Sequence, residues 1–186
     1  MRRKTVLCLG TFDGVHRGHQ KLLSEARKYA DEHGCSLIVH TFDSIPADKI
    51  NGSRSVLLTS LTEREYWLKH FGADEMITTP FDEHVRNMDG CDFLDDLVKS
   101  ISCACIVAGE DHRFGKGCAF GSGELKDYCR AAGMDCIIVE TYRMKDGSKL
   151  SSTGIRELIN AGKTDEAEAL LGHRMGIPQP VENADT

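Results

Sequence analysis

The chain has 186 residues, 40% apolar and 28% charged, with 23 basic against 29 acidic side chains and a net charge of −6. Such a length suits one domain that buries about 70% of the surface its unfolded chain exposes, and the composition excludes a disordered or collagen-like chain. No apolar run reaches the roughly 18 residues of a membrane span, the opening MRRKTVLCLG turns polar too soon for a signal peptide, and the acidic excess argues against a nucleic-acid partner.

Short aliphatic runs alternate with amphipathic ones. Strands are expected at 5–10 (TVLCLG), 36–42 (SLIVHTF), 75–80 (EMITTP), 103–109 (CACIVAG) and 135–140 (DCIIVE). Helices are expected at 19–33, 62–71, 91–100, 122–132, 152–162 and 164–172, and in the first of these Leu22, Leu23, Ala26 and Ala30 share one face. Alternation of this kind implies right-handed crossovers and an α/β fold, a Rossmann-like, doubly wound, five-stranded parallel sheet with helices on both faces. Ligands of such sheets bind beyond the carboxyl ends of the strands, where the winding reverses. The polar segment 47–56 reads as a mobile loop. The domain is expected to span residues 1–174, with 175–186 a flexible tail. Eight cysteines show no C-x-x-C spacing, so they read as reduced core residues of a soluble, cytosolic protein. Cys103 and Cys105, two apart on one strand, are expected to share a face.

Three motifs fall at the strand ends. After the first strand, LGTFDGVHRGHQKLL places His16 and His19 around Gly18 at a helix start, where free N–H groups and the helix dipole favour an anion. Arg17 and Lys21 add charge nearby. After the fourth strand, GEDHRFGKGCAFG brings Arg113 and Lys116 for phosphate and Phe114 for stacking on a ring. In KLSSTGIREL, one of Ser151, Ser152 and Thr153 caps the next helix, and Arg156 follows one turn later on the same face. An S-S-T triplet is first of all a cap; Arg156 turns it into a second anion cradle. With Lys149, these residues make a local cationic cluster on an acidic protein. No acid pair, nucleophile with base, or Walker A lysine accompanies them, so chemistry by positioning and charge stabilisation is expected.

In this order and spacing, the motifs resemble the adenylyltransferase domain of bacterial bifunctional FAD synthetases, within the HxGH nucleotidylyl transferases. The resemblance also takes in L-L-T-S-L-T-E-R (57–64), P-F-D-E (80–83), S-S-T-G-I-R (151–156) and E-A-x-x-L-L-G (166–172), nearly the whole chain. It implies transfer of AMP from ATP to FMN, giving FAD and pyrophosphate with Mg²⁺ held mainly by substrate phosphates. His16, His19 and Arg156 would be catalytic. Gly10, Thr11, Phe12, Gly18, Gly109, Asp111, Ser152, Thr153 and Arg156 would bind ATP. Phe42, Asp43, Ile45, Arg113, Phe114 and Lys149 would meet the flavin acceptor.

The chain departs from the family pattern after the second strand. Phe42-Asp43-Ser44-Ile45-Pro46 stands where relatives have F-D-P-H-P, so Ile45 replaces a histidine, and Ile50 is the nearest apolar residue where relatives often carry a flavin-stacking Phe. No riboflavin kinase domain is expected within the 186 residues, so a separate kinase would supply FMN. Three readings stay open: FMN adenylyltransferase, nucleotidylyl transfer from ATP or CTP to another phosphorylated small molecule, and a non-catalytic nucleotide- or flavin-binding module.

Overall fold

The computed structural model describes residues 3–52 and 55–177. Five strands, β1 (Thr5–Leu9), β2 (Ser36–Phe42), β3 (Glu75–Thr79), β4 (Cys103–Gly109) and β5 (Asp135–Val139), form one parallel sheet in the order β3-β2-β1-β4-β5. The winding reverses between β1 and β4, and their carboxyl ends open the crevice in which such sheets bind ligands. This is the doubly wound α/β sheet expected from the alternation of runs.

Helices α1 (Arg17–Glu32) and α3 (Leu61–His70) cover one face, burying Leu22, Leu23, Ala26, Ala30, Trp67 and Leu68 against Val6, Cys8 and Val107. Helices α5 (Gly90–Val98) and α6 (Ser122–Ala132) cover the other, where Phe93, Leu94, Leu97 and Leu125 meet Leu7, Leu9 and Ile106. The C-terminal pair α7 (Ser152–Asn160) and α8 (Thr164–Leu171) closes a smaller core of Leu150, Ile155, Ala167 and Leu171. Among the described residues two short α-helices, α2 (Pro46–Asn51) and α4 (Glu83–Asn87), and a 3-10 turn at Lys116–Cys118 complete the fold.

The segment 47–56, expected as a mobile loop, instead carries most of α2. Pro46 at its first turn fixes the backbone for a helix, and the Asp48 carboxylate accepts from the Ser55 hydroxyl at 2.8 Å. Helix α4 has no apolar periodicity and is held by its cap, the Asp82 carboxylate accepting from the Val85 amide at 2.9 Å. Cys103 and Cys105 do not share a face. The β1–β4 register slips by one residue between Thr5 and Val6, so Cys103 packs with the α5/α6 core and Cys105 with the α1/α3 core. Cys91 and Cys118 are exposed rather than core residues. Of the expected tail, residues 178–186 lie outside the described residues. Met175 and Gly176 are tied down, since Trp67 Nε1 donates to the Gly176 carbonyl at 3.2 Å and the Met175 amide to Glu168 at 2.9 Å. Among the described residues no helix is long and apolar enough to cross a membrane.

Gly90 opens α5 against the loop that follows β4: a Cβ there would stand 2.2 Å from Cγ of Phe120. Gly90→Ala should therefore destabilise the fold by about 1–3 kcal/mol, the usual cost of overpacking, read as a lower urea midpoint with an unchanged slope. An unchanged midpoint would show that the Phe120 ring gives way freely.

His40 lies within β2, 2% exposed, its Nε2 2.9 Å from the Thr79 hydroxyl and its ring edge-on to Phe42 and Phe93. Burial, reinforced by His112, pushes its imidazole from 6.5 down to about 3. Below about pH 6.5 the unfolded chain takes up a proton that the folded chain refuses, so stability falls as the pH falls from there. Thermal unfolding between pH 7.5 and pH 5 should show this fall and a shallower one in His40→Gln; equal slopes would contradict a neutral buried His40.

Candidate active site

Beyond the carboxyl ends of β1, β4 and β5 lies a cavity of about 810 Å³. Its centre is the turn from β1 into α1. Phe12 (φ 50°) and Val15 (φ 38°) hold left-handed backbone conformations that side chains rarely adopt, and both are fully buried, so core packing sustains the strained turn. The turn delivers His16 as the N-cap of α1, where its Nδ1 accepts from the His19 amide at 3.4 Å. A neutral imidazole that accepts at Nδ1 carries its proton on Nε2. The His16 and His19 rings stack with centroids 3.7 Å apart and 14° between planes. A Cβ on Gly18 would meet the His16 ring at 3.1 Å, so glycine keeps the pair close to the helix start.

Both histidines are held neutral. Burial, with the Lys149 ammonium acting the same way, pushes His16 down to about 4. Burial, then His16 and the Arg64 guanidinium, push His19 well below its ordinary value. His19 Nδ1 is buried with no hydrogen-bond partner among the described residues. A phosphate entering beside these rings would reverse the balance, since a nearby negative charge favours the imidazolium form.

The start of α7 lines the cavity. Ser151 is the cap, its hydroxyl accepting from the Gly154 amide at 3.2 Å. Ser152 is thereby freed for the β1–α1 turn, donating to the Asp13 carbonyl at 2.8 Å, while Thr153 and Arg156 line the cavity. The cavity is also bordered by an apolar aromatic cluster. Phe42 stands 5.1 Å from Phe81 and 6.0 Å from Phe93, Phe93 stands 6.0 Å from Phe114, and Ile45 and Ile50 of the α2 region face them.

Of the residues expected to form the site, His16, His19, Arg156, Gly10, Thr11, Gly18, Gly109, Asp111, Ser152, Thr153, Phe42, Ile45, Arg113, Phe114 and Lys149 line this one cavity. Phe12 and Asp43 are not among its lining. Phe12 is the buried prop of the turn, its ring 5.1 Å from that of His19. Asp43 instead ties β2 to the segment after β3, accepting from the Phe81 amide at 3.0 Å and the Ser44 hydroxyl at 2.9 Å. Burial pushes its carboxyl up, but these donors hold it below the ordinary carboxylate range. Asp111 and Lys149, expected at separate ligands, are paired with each other, and Phe114 is a core ring packed against Phe120 at 5.5 Å. Arg17 and Lys21 do not line the cavity: they donate to the Ala169 carbonyl at 2.7 Å and the Glu140 carbonyl at 2.9 Å.

The spacing missed two residues at the centre, Asp13 and Arg64. The Asp13 carboxylate, 5% exposed, accepts from the amides of Leu58 (3.0 Å) and Thr59 (3.1 Å), lies 3.5 Å from Arg64 and also pairs with Arg156. Arg64, 1% exposed, donates to the Thr41 hydroxyl at 2.9 Å and the Phe42 carbonyl at 2.7 Å. The signal that could have found Arg64 is its place three and four residues before Trp67 and Leu68, on the face of α3 that is buried. Arg86 and Asn87 of α4 and the His112 ring also reach the cavity wall.

The FAD synthetase family model matches residues 1–154. A FAD synthetase of Listeria monocytogenes is 32% identical over 187 residues, covering 98% of this chain and 74% of that protein. The bifunctional riboflavin kinase/FMN adenylyltransferase of Bacillus subtilis is also 32% identical, covering 98% of this chain but 58% of that longer protein. Among solved structures, a Streptococcus pneumoniae protein named as a macrolide-efflux protein superposes with a TM-score of 0.83 at 32% identity, over 94% of this chain and 57% of that one. Pantothenate synthetase of Thermus thermophilus, at TM-score 0.52 and 17% identity over 92% of this chain and 76% of that one, shares the fold alone. With its sheet order, its stacked histidine pair and this match over most of its length, the chain belongs to the FAD synthetase family.

Proposed function

We propose that the protein transfers AMP from ATP to the phosphate of FMN, forming FAD and pyrophosphate. The observation that carries this reading is the stacked His16–His19 pair, lining one cavity together with a phosphate-suited helix start and a cluster of aromatic rings. The aromatic cluster fits a flat tricyclic ring, and the α7 start with Ser152, Thr153 and Arg156 fits a triphosphate tail. The nucleoside would lie along Gly109, Asp111 and the segment after β5.

In the reaction an oxygen of the FMN phosphate attacks the α-phosphorus of ATP, a P–O bond forms, and the bond to the β-phosphate oxygen breaks. The attacking phosphate is already ionised at neutral pH, so no general base is needed. His16, with its proton on Nε2, and His19 donate to the α-phosphate as its charge spreads in the transition state, and Arg156 holds the departing pyrophosphate. Mg²⁺ enters as the ion travelling with the triphosphate. As a hard cation it takes oxygen ligands, and the phosphate oxygens of the substrate would carry most of them. FMN would come from a riboflavin kinase, the activity that the name of the Bacillus subtilis relative joins to FMN adenylyltransferase.

Ile45 favours a second reading, nucleotidylyl transfer to a different phosphorylated acceptor or from CTP. It caps α2 with no side-chain hydrogen bond, so this wall of the cavity offers an apolar surface where a histidine would offer a donor.

Incubation with Mg·ATP and FMN should yield FAD and pyrophosphate in equal amounts. Pyrophosphate released only with another acceptor, or only from CTP, would select the second reading; ATP binding without pyrophosphate from any phosphorylated acceptor would leave a binding module. His19→Ala should lower kcat about 100- to 1000-fold, the effect of losing one transition-state donor, while the KM for ATP changes little; wild-type turnover would remove His19 from the chemistry. Ile45→His should raise kcat with FMN if that wall limits the reaction, and an unchanged rate would show that the site works without the donor.

A further inference from the structure

Arg156 is not a free cation at the rim of the cavity. Its Nε donates to the Val56 carbonyl at 2.7 Å, one Nη2 proton goes to the Asp13 carboxylate, and its Nη1 has no partner among the described residues. A guanidinium gripped along one edge in this way presents its opposite edge in a fixed direction. Asp13 is itself immobile: the amides of Leu58 and Thr59, the Thr59 hydroxyl at 3.4 Å and Arg64 surround a carboxylate that is 5% exposed. Its backbone is held too, by the Ser152 hydroxyl on the first residue of α7.

A carboxylate against one arginine would cancel the charge that a phosphate needs. Here one carboxylate serves two guanidiniums, Arg64 behind it and Arg156 in front. The cluster keeps a net positive charge; all three side chains border the cavity, and Arg156, 16% exposed against 5% for Asp13 and 1% for Arg64, is the most exposed of them. We propose that Asp13 is a positioning residue for nucleotidyl transfer: it fixes the Arg156 guanidinium toward the triphosphate and acts on the reaction through that side chain. The inference rests on the reading of Arg156 as a phosphate ligand.

A double-mutant cycle on pyrophosphate release with Mg·ATP and FMN tests it, with thermal unfolding recorded on each variant. Asp13→Asn keeps the acceptor for the Leu58 and Thr59 amides but loses the charge that grips Arg156. Asp13→Glu keeps the charge between the two guanidiniums and displaces it by a methylene, so it carries the cycle should the Asn variant not fold. Each should raise the KM for ATP about tenfold in the wild-type background, the usual worth of a charged hydrogen bond, with kcat changed less. In an Arg156→Ala background the same substitutions should change that KM less than about twofold, although they lower the unfolding midpoint in both. Equal factors in the two backgrounds would overturn the proposal and leave Asp13 a structural residue. Should Arg156→Ala itself leave the KM for ATP untouched, the phosphate reading of Arg156 fails first, and this inference with it.

Discussion

A carboxylate with almost no access to water has to be compensated, and the way Asp13 is compensated organises this molecule. Removing one partner from such a buried ionic cluster leaves an unpaired charge in a poorly polarisable interior, which costs several kcal/mol. The groups that meet Asp13 come from elements far apart in the chain: the Leu58 and Thr59 amides before α3, Arg64 within α3 and Arg156 within α7. Arg64 extends the same network to Thr41 and Phe42 at the end of β2. The turn after β1, the end of β2 and the start of α7 are thus held in one frame, and residues of all three line the cavity.

Within that frame the chemistry follows from burial. His16 and His19 stack at a helix start, where an imidazolium pair would place two positive charges 3.7 Å apart next to the positive end of the helix dipole. The free protein avoids this by keeping both neutral. Under the proposed function a polyphosphate would supply the missing negative charge, matching the pair to a ligand whose charge grows at the moment of transfer. The left-handed conformations of Phe12 and Val15 lie in the turn that leads into His16, whose ring packs 3.1 Å from where a Cβ on Gly18 would stand.

Sequence patterning made much of this legible. Strand runs and helix faces gave the doubly wound sheet because parallel strands and amphipathic helices leave period-specific traces, and helix 122–132 matches α6 residue for residue. What patterning missed was held by contacts without a period. Helices α2 and α4 are short and stand on a proline and an aspartate cap, and the slip that sends Cys103 and Cys105 to opposite faces arises from pairing with β1. Asp43 and Phe12 sit inside recognisable motifs yet do not line the cavity, because a motif fixes which residues are near it and not which of them turn toward it.

By itself the sequence determined the sheet, the order of the three phosphate-suited motifs and the cationic character of the site on an acidic chain. These depend on local periodicity and on residue types at fixed spacing, which the linear chain carries. Tertiary structure alone decided which cations face the cavity. Arg17 and Lys21, beside the histidines in sequence, are drawn away by backbone carbonyls, whereas Arg64, at the end of the 57–64 stretch and far from them in sequence, is buried at the cavity wall. The physical reason is that a side chain's direction is set by the partners that satisfy its charge. For Arg156 those partners lie at Asp13 and Val56, 143 and 100 residues away along the chain.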